Sequence, residues 1–284
     1  MTEYTFDTNL LSNLKGRTIL ITGAANGIGK ATTKIAHENG ANVIIGDRNE
    51  EAGLELVAEL KQRVIFRRTD VSKFDDVLSL FEAGWKQFGV IHSVMSNAGM
   101  NREDLFSCEF DGNGKLLPPN LDSIDVNLIG MVYMVKCALY YFAKWPETRC
   151  QIVMTASAAS YLDTPPLYLY CAAKSGVLGL MRGLRSKLPE KNVTINVIAP
   201  WMTITDMLLP VVIEKWGELP ANEPWGVAYG ILLPIVQTEI NGKAFFIAGH
   251  KIIEFEDRLL ETQPSWMGEQ LSADIAEGQR RLTS

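Results

Sequence analysis

A rhythm restricts this chain more than any other feature. Short apolar runs rich in β-branched residues alternate with longer segments of helical periodicity. "RTILITG" (17–23), "ANVIIGD" (41–47), "VIFRRTD" (64–70) and "IHSVMSNAG" (91–99) read as strands. Between them, "GKATTKIAHENG" (29–40), "EEAGLELVAELKQ" (50–62) and "FDDVLSLFEAGWKQFG" (74–89) read as helices. The pattern continues with a helix over about 121–144, a strand "QIVMTAS" (151–157) and a helix over about 168–188. Strands "VTINVIAP" (193–200) and "NGKAFFIAG" (241–249) follow. Strands alternating with helices pair in parallel, and right-handed crossovers leave a doubly wound α/β sheet with helices on both faces, here of about seven strands. One domain over 1–284 is expected, because such folds reach this length as a single unit. Two stretches break the rhythm. Residues 201–228 hold Trp201, Trp216 and Trp225 among prolines and follow a strand end, where ligands sit in such sheets; they are expected to form a substrate lid. Residues 250–284 form a charged, partly helical C-terminal extension.

"TGAANGIG" places Gly23, Gly27 and Gly29, with Asn26 and Ile28 between them, where the first strand meets the first helix. Glycines there let a pyrophosphate approach the backbone, and the helix N-terminus offers free N–H groups and a favourable dipole. Asp47 ends the second strand about twenty residues later. A carboxylate in that place accepts bonds from ribose hydroxyls and repels a 2′-phosphate, which favours NAD over NADP. Arg48 follows it directly and is placed where it could hold such a phosphate, but Asp47 occupies the discriminating place.

Tyr170 and Lys174, in "YLYCAAKSG", stand one helical turn apart, and Ser157 ends the strand thirteen residues earlier. A second such pair, Tyr140 and Lys144, has no serine partner and reads as a coincidence of composition. With the glycine turn, these residues resemble the short-chain dehydrogenase/reductase family over about residues 15–250, which implies a Rossmann fold. In that resemblance Asp70 and Val71 match the adenine contact, and Asn97, Ala98 and Gly99, in "SNAG", line the ribose and steady the sheet. Asn127, Ser157, Tyr170 and Lys174 match the catalytic set. Pro200 and Thr205 match the segment beside the nicotinamide, although Trp201 replaces the usual glycine and "AGH" stands near the last strand in place of a Gly-Gly pair. The stretch "DGNGKLLPPNLDSIDVNLIGMVYMVKCALYYF" is similar to fungal members related to 15-hydroxyprostaglandin dehydrogenase, many of which oxidise secondary metabolites.

The resemblance implies hydride transfer between a carbinol carbon and nicotinamide. Tyr170 serves as general base, its pKa lowered by Lys174, which also holds the nicotinamide ribose. Ser157 polarises the substrate oxygen, and Asn127 holds a water that relays the proton from Lys174. The apolar lid, with Tyr161, Leu162 and Pro165 facing the same cleft, suggests oxidation of a bulky, largely apolar secondary alcohol with NAD. A ketone reductase using NADPH and a non-redox cofactor-binding protein are the alternatives. The substrate is a small-molecule alcohol or ketone. A net charge of −6 argues against nucleic acid as a partner. No apolar run reaches the roughly 18 residues of a membrane span, and no membrane partner is expected. His37, His92 and His250 and the four scattered cysteines show no metal-ligand spacing, so no metal site is expected. The cysteines and the N-terminus suit the reducing cytoplasm. "LIGMVYMVKCALYYF" and "AAKSGVLGLMRGL" are apolar over more than one face, as expected of helices that pack in a homodimer or homotetramer.

Overall fold

In the computed structural model, which describes residues 2–283, the chain opens with a short strand β1 (Thr2–Tyr4) and a 3₁₀ turn (Thr8–Leu14). The alternating half follows: β2 (Thr18–Thr22), α1 (Gly27–Glu38), β3 (Asn42–Asp47), α2 (Glu50–Leu60), β4 (Val64–Arg68), α3 (Phe74–Phe88) and β5 (Ser93–Ser96). Local chemistry sets these boundaries. Asn49 caps α2 by accepting the Ala52 N–H, and Glu50 and Glu51 complement the dipole in its first turn. Gly89, at φ 77°, ends α3 in a conformation that other residues rarely adopt. The second half supplies α4 (Asp122–Phe142), β6 (Cys150–Thr155), α5 (Tyr168–Leu184), β7 (Val193–Pro200), α6 (Pro210–Trp216), α7 (Pro224–Val236), β8 (Ala244–Ala248) and β9 (Lys251–Glu254). The tail adds α8 (Glu256–Glu261), α9 (Gln263–Met267) and α10 (Glu269–Thr283).

The strands form one sheet in the order β1-β9-β8-β7-β6-β5-β2-β3-β4. From β4 to β8 every pairing is parallel. Alternate residues feed two cores. Leu20, Ile44, Ile152 and Ile195 face α3, α4 and α5, while Ile19, Ile45, Val153 and Phe245 face α1, α2 and α7. The strands are buried on both faces, which is why they read as nearly continuous apolar runs. The strand order reverses between β2 and β5, so the crevice at their carboxyl ends, beyond Thr22 and Ser96, is where a doubly wound sheet takes a ligand.

Three expectations need correction. The sheet has nine strands rather than about seven, because β9 folds back on β8 and β1 then pairs with β9, both antiparallel. The hairpin turns on Gly249 (φ 55°) and His250 (φ 66°), two left-handed residues, without the Asn-Gly that advertises such turns. The lid segment ends earlier than 228: Pro224 starts α7, whose residues from Gly226 onward are almost all buried in the core. Finally, α4 is long and apolar enough by composition to cross a membrane. Its length escapes a search for uninterrupted apolar runs because Asp125 and Lys136 punctuate it. Met131, Met134, Ala138, Tyr141 and Phe142 bury one side of it in the core shared with α3 and α5.

Candidate active site

The glycine turn is held by contacts that leave no room for side chains. A Cβ on Gly29 would lie 2.0 Å from the Gly23 carbonyl oxygen, and one on Gly23 would lie 2.8 Å from the Ala98 Cα. Gly23 and Gly27 both take positive φ, at 64° and 52°. Asn26 precedes α1 in extended backbone and makes no side-chain capping bond, so its side chain does not occupy the N–H groups of the first turn. The Asp47 carboxylate accepts the Ala25 N–H through Oδ2 and the Asn49 N–H through Oδ1, each at 2.9 Å. It therefore joins the end of β3 to the glycine turn. Arg48 is exposed beside it. Asp70 accepts from Ser72, while Val71 is buried against Gly130 of α4.

Asn97 ties three strand ends together. Its Nδ2 donates to the Thr22 and Gly23 carbonyls at 3.2 Å, and its Oδ1 accepts from the Thr155 hydroxyl at 3.2 Å. The Thr22 hydroxyl accepts the N–H groups of Asn97 and Ala98. Sequence reading placed Asn97 here but missed Thr22 and Thr155, whose signal was only their position at the ends of β2 and β6.

The four catalytic candidates converge near the ends of β5 and β6. Lys174 is 2% exposed, and its Nζ donates to the Thr155 carbonyl at 2.7 Å and lies 5.5 Å from the centre of the Tyr170 ring. Ser157 caps a 3₁₀ turn by accepting the Ala159 N–H, and its side chain lies close enough to Tyr170 to favour the ionised phenol. Asn127 is wholly buried at a π-helical turn of α4 (Asp125–Ile129). Its Nδ2 donates to the Met100 and Ser123 carbonyls and its Oδ1 accepts the Met100 N–H, so the side chain braces the chain after Gly99. Gly99 itself is packed against that Oδ1.

Electrostatics correct one expectation. Lys174 does not bring the Tyr170 pKa down in this state. Burial pushes the phenol up, and Ser157 opposes that only in part. Burial also lowers Lys174 to about 7. An ammonium without a counter-charge loses hydration inside the protein, so near neutral pH this lysine exchanges a proton readily.

Around these groups lie the lid and the tail. The Thr205 methyl would sit 3.2 Å from a Cβ on Gly27, which places the lid's base against the glycine turn. Buried Asn222 pins that base: its N–H donates to the Met202 carbonyl, its carbonyl accepts the Ile204 N–H, and its Nδ2 reaches the Ile247 carbonyl. Beyond the neck, α6 has no buried residue, and Met207, Leu209 and Val211 are exposed. Trp201 meets Trp216 edge to face at 5.5 Å. A cavity of about 290 Å³ separates Lys30 and Lys34 of α1 from Ile204 to Asp206. Buried Pro200 ends β7 directly before the lid. Tyr161 packs on Phe255 of the tail and donates its hydroxyl to Glu256 at 3.0 Å. Its polar end thus turns to the tail rather than to the cleft expected of it, whereas Leu162 and Pro165 are exposed. Glu103 is a residue that sequence reading missed: its carboxylate accepts the N–H groups of Leu169 and Tyr170. The Tyr140–Lys144 pair is an exposed cation–π contact, 4.5 Å from charge to ring.

A nucleotide crevice at the strand-order reversal, with serine, tyrosine and lysine gathered at its floor, defines a nicotinamide-dependent α/β oxidoreductase. Residues 17–215 match the short chain dehydrogenase family, and the chain belongs to it. It is 31% identical to the short-chain dehydrogenase/reductase prx4 of Penicillium rubens, over 94% of this chain and 85% of that one. It is 30% identical to the 5′-hydroxyaverantin dehydrogenase of Dothistroma septosporum, over 92% of each chain. The expected likeness to fungal members is borne out; the narrower link to 15-hydroxyprostaglandin dehydrogenase is not shown. In fold it resembles a 3-ketoacyl-(acyl-carrier-protein) reductase from Brucella melitensis crystallised with NADH, with a TM-score of 0.73 at 23% identity over 83% of this chain and 98% of that one.

Proposed function

We propose that this oxidoreductase uses NAD to oxidise a secondary alcohol on a bulky, largely apolar small molecule to a ketone. The observation that carries the chemistry is buried Lys174, held on the Thr155 carbonyl 5.5 Å from the Tyr170 ring, with Ser157 placed to favour the Tyr170 phenolate. An alcohol oxygen that takes its place between the two hydroxyls gives its proton to the Tyr170 phenolate as the carbinol C–H bond breaks, the phenol's own proton having first left by way of neutral Lys174. Ser157 holds that oxygen while charge develops on it. Lys174 Nζ, poised at about 7, passes a proton onward or stabilises the phenolate by its charge. The bound cofactor supplies the hydride acceptor. The residues present suit a nucleotide: glycines that exclude any Cβ, an uncapped first turn of α1, and Asp47 fixed beside Ala25. Asp47 supports NAD, because its carboxylate repels a 2′-phosphate.

The exposed apolar residues of the lid and of the connector 100–121, Phe106 and Phe110 among them, support a large apolar substrate. The likeness to a 5′-hydroxyaverantin dehydrogenase supports an alcohol of secondary metabolism. Residues 202–223 act as the lid. The working assembly is a homodimer or homotetramer, supported by exposed Val132 and Tyr140 on α4 and by Gly179 and Gly183, which have open space beside them on α5. The protein acts in the cytoplasm, where its four free cysteines stay reduced. Sedimentation at micromolar concentration checks the assembly, and a monomer there would sink it.

The test of function incubates wild type and Tyr170→Phe with NAD or NADP and a graded series of alcohols, 2-butanol, 1-tetralol and a hydroxylated anthraquinone side-chain alcohol, and follows absorbance of the reduced cofactor. The expected result is turnover by the wild type alone, with NAD, rising with alcohol size. Equal rates in both proteins, or no turnover of any alcohol, would overturn the reading.

A further inference from the structure

Helix α5 carries Tyr170 in its first turn, yet its sequence provides no cap for that turn. Leu167, at the N-cap, has no side-chain acceptor, and the first turn holds no acidic residue. Uncapped N–H groups at a helix start seek an acceptor, and a carboxylate there also complements the helix dipole. The acceptor comes from 66 residues away. Glu103 Oε2 takes the Leu169 N–H at 3.1 Å, and Oε1 takes the Tyr170 N–H at 2.9 Å.

Glu103 is itself held from behind. The Arg102 N–H donates to the Ser123 hydroxyl at 2.9 Å, and that hydroxyl donates back to the Arg102 carbonyl at 2.8 Å. Ser123 is wholly buried at the start of α4, and its carbonyl accepts from Asn127. Asn127 in turn grips both polar groups of the Met100 backbone. Residues 100–102 are therefore stapled to α4, and they present Glu103 to α5. Just beyond, Asp104 accepts the Asn120 N–H and closes the base of the exposed connector.

We infer that Glu103 is a positioning residue for Tyr170, fixing the start of the catalytic helix to α4 and so holding the Tyr170 hydroxyl opposite Ser157. The inference rests on the reading of Tyr170 as the acid–base group. Position matters at this scale, since a misplacement of about 1 Å can cost on the order of a hundredfold in rate. Charge enters as well. The groups facing Tyr170 are Ser157, Lys174, Cys171 and the Glu103 carboxylate on its own N–H. Removing that negative charge favours the phenolate, so the pH midpoint of turnover moves down.

The experiment compares wild type, Glu103→Ala, Glu103→Gln and Tyr170→Phe, using the alcohol of the graded series that wild type turns over fastest. It measures kcat and KM from pH 6 to 10, as well as amide hydrogen exchange across the molecule. Glu103→Gln keeps the size and one acceptor, so it covers the case in which the alanine variant folds poorly. Expected are faster exchange confined to the first turn of α5, kcat lower by about tenfold or more in Glu103→Ala with KM for NAD little changed, and a lower pH midpoint in both variants. Unchanged exchange in α5 overturns the inference. So does unchanged kcat, or a loss of kcat with an unmoved midpoint and faster exchange everywhere, which marks a purely structural residue. If Tyr170→Phe matches wild type, or wild type turns over nothing, the underlying reading fails, and the inference falls with it for that separate reason.

Discussion

Replacing Glu256 by alanine tests how the tail is fastened to the catalytic helix. Its carboxylate is 4% exposed and accepts four bonds: Arg182 Nε at 2.8 Å and Nη2 at 2.7 Å, Arg185 Nη1 at 3.0 Å and the Tyr161 hydroxyl at 3.0 Å. Charge-assisted bonds contribute roughly 1.5–3 kcal/mol when shielded from water. The arginines are not shielded: 42% and 33% of their side chains are exposed, so each pair is discounted to about 1 kcal/mol. The Tyr161 bond lies deeper and keeps about 1.5 kcal/mol. The expected loss is therefore about 3.5 kcal/mol at pH 7, or a urea midpoint lower by about 1.2 M for a slope of roughly 3 kcal/mol per molar. A cycle with Arg182→Ala should give a coupling of about 1 kcal/mol. The acid side adds a second signature. Burial opposes the charge on Glu256, but the bonds from Arg182, Tyr161 and Arg185 hold its carboxyl below the ordinary range. The folded state thus binds this proton more weakly than the unfolded chain. Its contribution is complete above the ordinary glutamate pKa and disappears as pH falls through the depressed one. Urea titrations at pH 7 and near pH 3 should show the gap between wild type and variant closing in acid. A midpoint within about 0.2 M of wild type at pH 7, or a gap that persists in acid, refutes the reasoning.

Three further outcomes are expected. Gly29→Ala drives a Cβ into the Gly23 carbonyl, only 2.0 Å away, so it should weaken NADH binding by about tenfold and lower stability by about 1–3 kcal/mol, read by cofactor fluorescence and urea titration. Asp47→Ser removes the charge that discriminates against the 2′-phosphate and should raise kcat/KM for NADP relative to NAD by on the order of tenfold; an unchanged ratio places discrimination elsewhere. Lys174 is lowered to about 7 by burial, so the folded state without cofactor loses stability as pH falls from the ordinary lysine value toward 7. Stability at pH 9 should therefore exceed that at pH 7 by about 1–2 kcal/mol more in wild type than in Lys174→Met, measured by chemical denaturation.

The site was legible wherever a residue type is dictated by its own neighbours in sequence. Gly23, Gly27 and Gly29 stand out because a strand, a tight turn and a helix start must share eight residues. Ser157, Tyr170 and Lys174 stand out because a strand end and one helical turn fix their spacing. Glu103 and Glu256 did not stand out, because their partners lie 66 to 95 residues away and a lone glutamate in a polar stretch carries no mark of burial. The Tyr170 pKa was misjudged for a related reason: the spacing puts a lysine nearby, but only the fold reveals that Lys174 is buried. The central strands were legible as apolar runs, whereas β9, "KIIE", is too short to show a period and ends in the buried Glu254. Strand β1 depends wholly on β9 and could not be read before it.

That dependence sets an order of assembly. β1 pairs only with β9, Thr2 opposite Glu254 and Tyr4 opposite Ile252, across about 250 residues of chain. During synthesis the core strands can dock as they emerge, but β1 has no partner until β9, about 250 residues later, has left the ribosome. For that interval Tyr4 and Phe6 sit on a loose arm, and only later do they meet Phe245 and Tyr229, at 5.2 and 4.9 Å. Strand β1 is thus among the last of the sheet to pair, and in the nascent protein it is an apolar handle open to a chaperone or to a neighbouring chain.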